Sequence, residues 1–277
     1  MSKFLPDAAI ASFDSDVKLA YQTGGKLKRS VRVRSNVVGS THRFPKMGKG
    51  IATRRTSQAD VQLMNVAHTN ATATLTDWNT PELTDLFDDL KNNFSEIQEL
   101  AVTEAQAMGR REDQLILDAI DAASTTLTVA DTVGDSTDLD TAKVRRAKFL
   151  LDDQGVPGGD RFFVMSARGL EQLLGDSDAS TFDKNAIKVL FDGEVMHWVG
   201  FDFIMVETRD EGGLPFADPD RTSYAYHRSS TGLAIGKDMS ANVDWIPIKT
   251  SWLSNVLFSA GSVGIDALGI VEITTEE

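Results

Sequence analysis

TPELTDLFDDLKNNFSEIQELAVTEAQAMGRREDQLILDAIDAA, residues 80–123, is the stretch whose reading decides the fold. Thr80 can cap a helix, Pro81 suits the first helical position, and Glu82 and Asp85 sit where the positive end of a helix dipole favours acids. Leu83, Phe87, Leu90, Phe94, Ile97 and Ala101 recur in alternating steps of four and three, and the stripe resumes at Met108, Leu115 and Ala119. Asp88, Asp89, Lys91, Glu96 and Glu99 fall on the other face. The pattern predicts one amphipathic helix with a single apolar stripe. Unbroken from Pro81 to Ala123, it would run roughly 65 Å at ~1.5 Å per residue. Few compact domains cover such a rod, so the expectation is a spine with sheets packed along it. The competing reading breaks the helix in two at Gly109, because a mid-helix glycine costs about 1 kcal/mol. An isolated coiled coil fits less well, since few heptads hold register and strand-rich sequence lies on both sides.

Working outward, the chain has 277 residues and 41% hydrophobic content, enough for one large or two small cores. No apolar run approaches the ~20 residues that span a membrane, and the first residues lack a signal-peptide core. Cysteine is absent, which excludes disulfides and thiolate metal sites and fits a reducing cytoplasm. The formal net charge of -13 opposes a general grip on nucleic acid. That charge is unevenly spread. The segment from Lys18 to Arg55 holds eleven of the 28 basic residues and none of the 41 acidic ones.

Residues 1–29 have weak periodicity and read as an arm ordered against neighbours, with Gly24 and Gly25 stopping any short helix. In SVRVRSNVVGS, residues 30–40, Val31 and Val33 alternate with Arg32 and Arg34, predicting a strand with one basic face. Pro45, Gly48 and Gly50 mark a turn, and IATRRTSQADVQLMNV leads back. The unit reads as a two-stranded excursion with a basic tip. Such a ribbon is only marginally stable alone, so its stabilising contacts are expected from elsewhere. The acidity of the remaining chain favours another protein subunit over nucleic acid as the partner of Arg32, Arg34, Arg43, Lys46, Lys49, Arg54 and Arg55. HTNATATLTDW then alternates as a further strand running into the spine.

Past the spine, LDTAKVRRAKFLLDD predicts a second amphipathic helix, capped by Asp138 and stopped by Gly155 and Pro157. RFFVMS gives a short buried strand, with Ser166 capping a helix that ends at Gly175, and DKNAIKVLF reads as helical. VMHWVGFDFIMVET is a strand pair or one bent strand around Gly200. SYAYHR is a strand, and several more follow from GLAIGKD to the C-terminus, with Pro247 at an edge or a strand start. The whole is an α+β chain in which some late strands must return to the spine.

Chemistry is hard to find. There is no G-x-S-x-G, GKGIAT lacks the third glycine of a dinucleotide fingerprint, and GLAIGKD has the wrong spacing for a phosphate loop. His42, His68, His197 and His227 form no H-x-x-x-H pair. Asp135, Asp138 and Asp140, or Asp218 and Asp220, lack the calcium-loop pattern and read as solvated loop acids. Trp78, Trp198, Trp245 and Trp252 are too scattered for a base-stacking platform. No catalytic, cofactor or metal residue is assigned, and the chain does not read as an enzyme.

Three stretches carry a resemblance. AKFLLDDQGVPGGDRFFVMSARGLEQLL, GEVMHWVGFDFIMVETR with Gly193, Gly200 and Phe201, and the C-terminal GLAIGKDMSANVDWIPIKTSWLSNVLFSAGSVGIDALGIVEI with its small-residue turn Ala260-Gly261 resemble the major capsid proteins of tailed bacteriophages, the Hong Kong 97-type fold. The resemblance covers most of residues 30–273. It implies an N-terminal arm at 1–29, an extended β-ribbon loop at 30–78 and a peripheral domain with the spine helix at 79–134. An axial domain would occupy 135–235, and strands returning to the peripheral domain 236–277. The implied function is a shell protein that self-assembles, as hexamers and pentamers, into an icosahedral head enclosing double-stranded DNA bound without sequence specificity. Portal protein is an implied partner, a membrane is not, and assembly would take place in the host cytoplasm.

Two departures matter. Many members begin with a long helical scaffolding segment, whereas only about thirty residues here precede the ribbon, which implies a separate scaffolding protein or none. Some members form Lys–Asn isopeptide cross-links, for which Lys46 and Lys49 are candidate donors and Asn242 or Asn255 candidate acceptors. Within the same fold the alternative is an encapsulin-like compartment for protein cargo. From a different class, it is a nucleic-acid-binding protein using the basic ribbon.

Overall fold

The computed structural model describes residues 24–58, 60–85, 96–175, 197–208 and 211–277. A 3₁₀ turn at Lys28–Ser30 leads into β1 (Arg32–Arg34). An antiparallel ribbon is present but from other segments than expected: β2 (Thr41–Met47) pairs with β3 (His68–Thr74), Thr41 opposite Thr74 and Met47 opposite His68, whereas the sequence pattern pairs residues 30–40 with 51–66. Two details differ from expectation. β1 lies outside the ribbon and pairs in parallel with a later strand. Pro45 sits within β2, where each strand of a two-stranded ribbon has one free edge and tolerates a missing N–H. The connection follows Met47 instead, as an exposed segment without regular structure.

The larger correction concerns the quoted stretch. Thr76–Asp85 is a strand, β4, and not the start of the helix. Trp78, Thr80 and Thr84 turn inward at two-residue spacing, and Pro81 lies opposite Asn255 on the open edge of the sheet. Phe87, Leu90 and Phe94 lie outside the described residues. The spine helix is α1 (Glu96–Asp121), 26 residues long or about 39 Å at ~1.5 Å per residue. Gly109 does not interrupt it. A Cβ there would stand 2.5 Å from the Gly25 nitrogen, so the glycine is the notch through which the arm crosses the helix. Met108 and Ala119 are buried as expected, Leu115 is only partly so, and the buried face also carries Glu104, Glu112 and Asp113.

β5 (Thr128–Val129) precedes α2 (Thr141–Asp153). The cap of α2 is Asp140 rather than Asp138: its carboxylate accepts from the Lys143 backbone N–H at 2.8 Å. β6 (Arg161–Ser166) is buried at every position, and the Ser166 hydroxyl accepts from Gly169 N–H at 2.8 Å to cap α3 (Ala167–Gly175) as expected. The helix expected at residues 183–191 lies outside the described residues. β7 (His197–Trp198) and β8 (Phe201–Val206) make a hairpin turning at Val199-Gly200, so the strand-pair reading holds. After β9 (Phe216–Ala217) and β10 (Asp220–His227) come the long strands β11 (Thr231–Ile246) and β12 (Ser251–Gly264), with Pro247 in the turn between them. β13 (Ile270–Glu276) closes the chain.

Two sheets share one core. The smaller, in order β1-β11-β12-β4, lays Leu233, Val256 and Phe258 against Met108 and Ile116 of α1. The larger, β5-β13-β10-β6-β8-β7 with β9 beside β10, is covered on both faces. Along β6, Phe162 and Val164 point to the α1 side while Phe163 and Met165 join Val144, Leu151 and Leu173 under α2 and α3. β13, expected with the strands returning to the spine, pairs with β10 in this larger sheet.

Candidate assembly surfaces

The ribbon is fixed at its root. Phe44 is buried with Ala73 and Ala234, packed by Val37, Leu75 and Val263. The backbone of Thr74 passes directly over Gly261, where an added Cβ would meet the Thr74 carbonyl oxygen at 2.0 Å. Only glycine permits that approach. Lys46 pairs with Asp266 at 2.7 Å, and the Lys49 ammonium donates to the Gln154 carbonyl at 3.1 Å. Two of the seven predicted interface cations are thus engaged within the subunit. Arg32 and Arg34 lie exposed on β1, which is not a strand of the ribbon, and the Arg32 guanidinium stands 5.8 Å from the ring centroid of Phe44 at the ribbon's root. Arg43 is exposed on β2. Arg54 and Arg55 lie in the exposed tip with no ion pair among the described residues.

Sequence reasoning concentrated on charge and missed the apolar half of the tip. Ile51 is 80% exposed, and Val61 and Leu63 are each 83% exposed. The signal was present in DVQLMNV, where Val61 and Leu63 alternate with polar residues. The tip therefore presents exposed arginines and bare aliphatic side chains together.

The arm is clasped to the spine. The Asp113 carboxylate, fully buried, accepts from Lys26 N–H at 2.9 and 3.0 Å and from Leu27 N–H at 2.9 Å. Lys26 reaches Glu207 and the Met205 carbonyl with its ammonium, and Lys28 lies 3.3 Å from Glu112 and 3.5 Å from Asp238. Burial pushes the Glu112 carboxyl above its ordinary range, against the pull of Lys28. Glu104 is raised for the same reason, and accepts a 3.0 Å hydrogen bond from Ser254.

The remaining candidates for chemistry are accounted for structurally. The acidic loop of Asp135, Asp138 and Asp140 contains its own cation: the buried Lys143 ammonium donates at 2.6 Å to both the Ser136 and Asp138 carbonyls. Burial lowers the pKa of that ammonium while Asp140, Asp131 and Asp138 oppose the shift. No cluster of three metal-binding side chains occurs among the described residues. His197 pairs with the exposed Asp202 across the β7–β8 hairpin, His227 with Ser229, and His42 packs edge-on against Phe44. Asn242 and Asn255 face each other across β11 and β12, while Lys46 is held on Asp266, so no cross-linking geometry forms within the subunit.

The arrangement is a long helix under one sheet, a second sheet sandwiched by helices, and a projecting ribbon. The sequence matches the phage capsid protein family over residues 5–277, and the chain belongs to that family. No curated protein matches the sequence. Among solved structures, the chain is similar to the capsid of cyanophage P-SCSP1u, with a TM-score of 0.77 at 14% identity, covering 99% of this chain and 94% of that one. It is also similar to the head of Helicobacter pylori bacteriophage KHP40 (TM-score 0.76, 11% identity, 99% and 96% covered) and to Mycobacterium phage Che8 (0.71, 15%, 96% and 97%). The fold is α+β of the Hong Kong 97 type, and the chain is a structural major capsid protein that forms a phage head.

Proposed function

We propose that the ribbon tip, with Arg54 and Arg55 flanked by Ile51, Val61 and Leu63, lies on an adjacent copy and that Arg34, Arg43, Lys46 and Lys49 extend the same contact. Repeated around hexamers and pentamers, the contact closes an icosahedral shell around double-stranded DNA held without sequence specificity. Scaffolding and portal functions belong to separate polypeptides, assembly takes place in the host cytoplasm, and the role needs no turnover. The domain division into ribbon, peripheral and axial parts follows the two sheets, with residues 270–276 assigned to the axial part. The observation that carries the reading is the tip itself, whose aliphatic side chains and arginines are satisfied by nothing among the described residues. The aliphatic component favours protein over nucleic acid as the surface it covers.

The test is Arg54→Glu with Arg55→Glu. Like charges brought together at an interface cost on the order of several kcal/mol, while exposed loop substitutions leave the monomer within about 0.5 kcal/mol. The double variant should stay soluble with the melting profile of the unassembled wild type, yet make no particles by electron microscopy. Normal particles with reduced DNA affinity would transfer the ribbon to nucleic acid.

A further inference from the structure

A groove of about 670 Å³ opens at the root of the ribbon, between β1 and the corner joining β10 to β11. Its floor is aliphatic, formed by Val31 and by Val33, which is 37% exposed. Arg29 and Arg32 stand on one side, and Asp160 and Arg228 on the other. Three features of this groove are unexplained by the packing of the subunit.

The first is a free sheet edge. Among the described residues β1 is the terminal strand of the smaller sheet, pairing with β11 through Arg32, Val33 and Arg34 on one side only, and all three residues are exposed. An unprotected edge presents N–H and C=O groups in line for another strand. The second is surplus positive charge. Lys28 is balanced by Glu112 and Asp238, and Arg228 lies 3.3 Å from Asp160, but Arg29 and Arg32 form no ion pair among the described residues. The third is a buried donor: the Arg228 Nε has no hydrogen-bond partner among the described residues. Such an atom is destabilising unless something arrives to accept from it.

We propose that this groove receives an extended acidic segment of a separate polypeptide, which adds in register to the free edge of β1. Because side chains of a strand alternate, the occupant has period two. Small apolar residues lie on Val31 and Val33, and the intervening carboxylates meet Arg29, Arg32 and Arg228. Duplex DNA fits worse on three counts: its backbone has no N–H donors for a strand edge, phosphate gains nothing from an aliphatic floor, and Asp160 repels it. This occupant is distinct from the neighbouring copy on which the ribbon tip rests.

The probe is a capped ten-residue peptide of alternating Asp and Val, labelled for fluorescence anisotropy and titrated with the unassembled full chain at low and high salt. A control peptide carries proline at every second position, which removes donors from the edge, and a labelled duplex oligonucleotide provides the third arm. The alternating peptide should bind, weaken with salt, and slow hydrogen exchange at the amides of Arg32–Arg34. Arg29→Glu with Arg32→Glu should reduce affinity on the order of tenfold or more without moving the thermal midpoint. Arg29→Glu alone should reduce it less. Equal binding of the proline control, tighter binding of the oligonucleotide, protection of β1 by self-association in place of peptide, or no peptide binding would each overturn the proposal.

Discussion

Asp113→Ala removes the acceptor on which the arm is hung. Its carboxylate takes the N–H groups of Lys26 and Leu27, and Leu27 is itself completely buried in the main core. Without it, two backbone donors in or at the edge of the interior lose a charged acceptor. Each such loss costs about 1–3 kcal/mol, so the expected destabilisation is about 2–6 kcal/mol. Asp113→Asn keeps the shape and one accepting oxygen but not the charge, and should cost about 1–2 kcal/mol. The lysine contacts cannot compensate. Lys26–Glu207 and Lys28–Asp238 are partly solvated pairs, each worth about 0–1 kcal/mol. Urea unfolding followed by tryptophan fluorescence measures the stability difference. Limited trypsin digestion at Lys26 and Lys28 separately reports release of the arm. If Asp113→Ala lies within about 0.5 kcal/mol of wild type and trypsin cuts no faster, Asp113 does not hold the arm and the clasp is refuted.

Gly109→Ala tests the crossing from the helix side: propensity alone would stabilise α1 by about 1 kcal/mol, but the added Cβ meets the Gly25 nitrogen at 2.5 Å, so a net loss of stability is expected by calorimetry, and a gain would show that the two backbones do not touch. Glu104 is raised above its ordinary value of 4.5 by burial, so the native state holds that proton more tightly than the unfolded chain; its favourable contribution is complete below pH 4.5 and is lost as pH rises through the native value. Glu104→Gln should therefore melt close to wild type in acid and above it at pH 8, and an equal difference at both pH values would exclude titration as the cause. Glu277 accepts from Ser166 and Arg221 in a nearly buried ion pair; Glu277→Ala strands the guanidinium and should cost about 3–5 kcal/mol, with Arg221→Met restoring much of the loss in a denaturation double-mutant cycle.

Much of this molecule was legible where short-range pattern and local chemistry agree. The Ser166 cap, the buried strand from Arg161 and the hairpin at Gly200 depend on residues within a few positions of one another. The resemblance that pointed to a capsid rests on those same local stretches. The quoted segment failed where two periods overlap. Leu83 fits a helical stripe with the residues after it, yet it belongs to a strand whose ten residues pair with Ser251–Ala260, and that ladder forms between segments some 170 positions apart. Gly109 reads as a helix breaker until Gly25 is laid across it, and Asp113 reads as a solvated acid until two N–H groups 86 and 87 residues earlier are aimed at it. The same holds for Lys46 and Lys49, whose positive charge the sequence displays but whose partners on the body it conceals. Sequence alone determined the charge distribution and those elements whose signals are local, because propensity, capping and periodicity act over one or two turns. Only the tertiary structure decided which sheet β13 joins, which acids are buried and which cations remain free, because those depend on long-range pairing that brings distant backbone groups together.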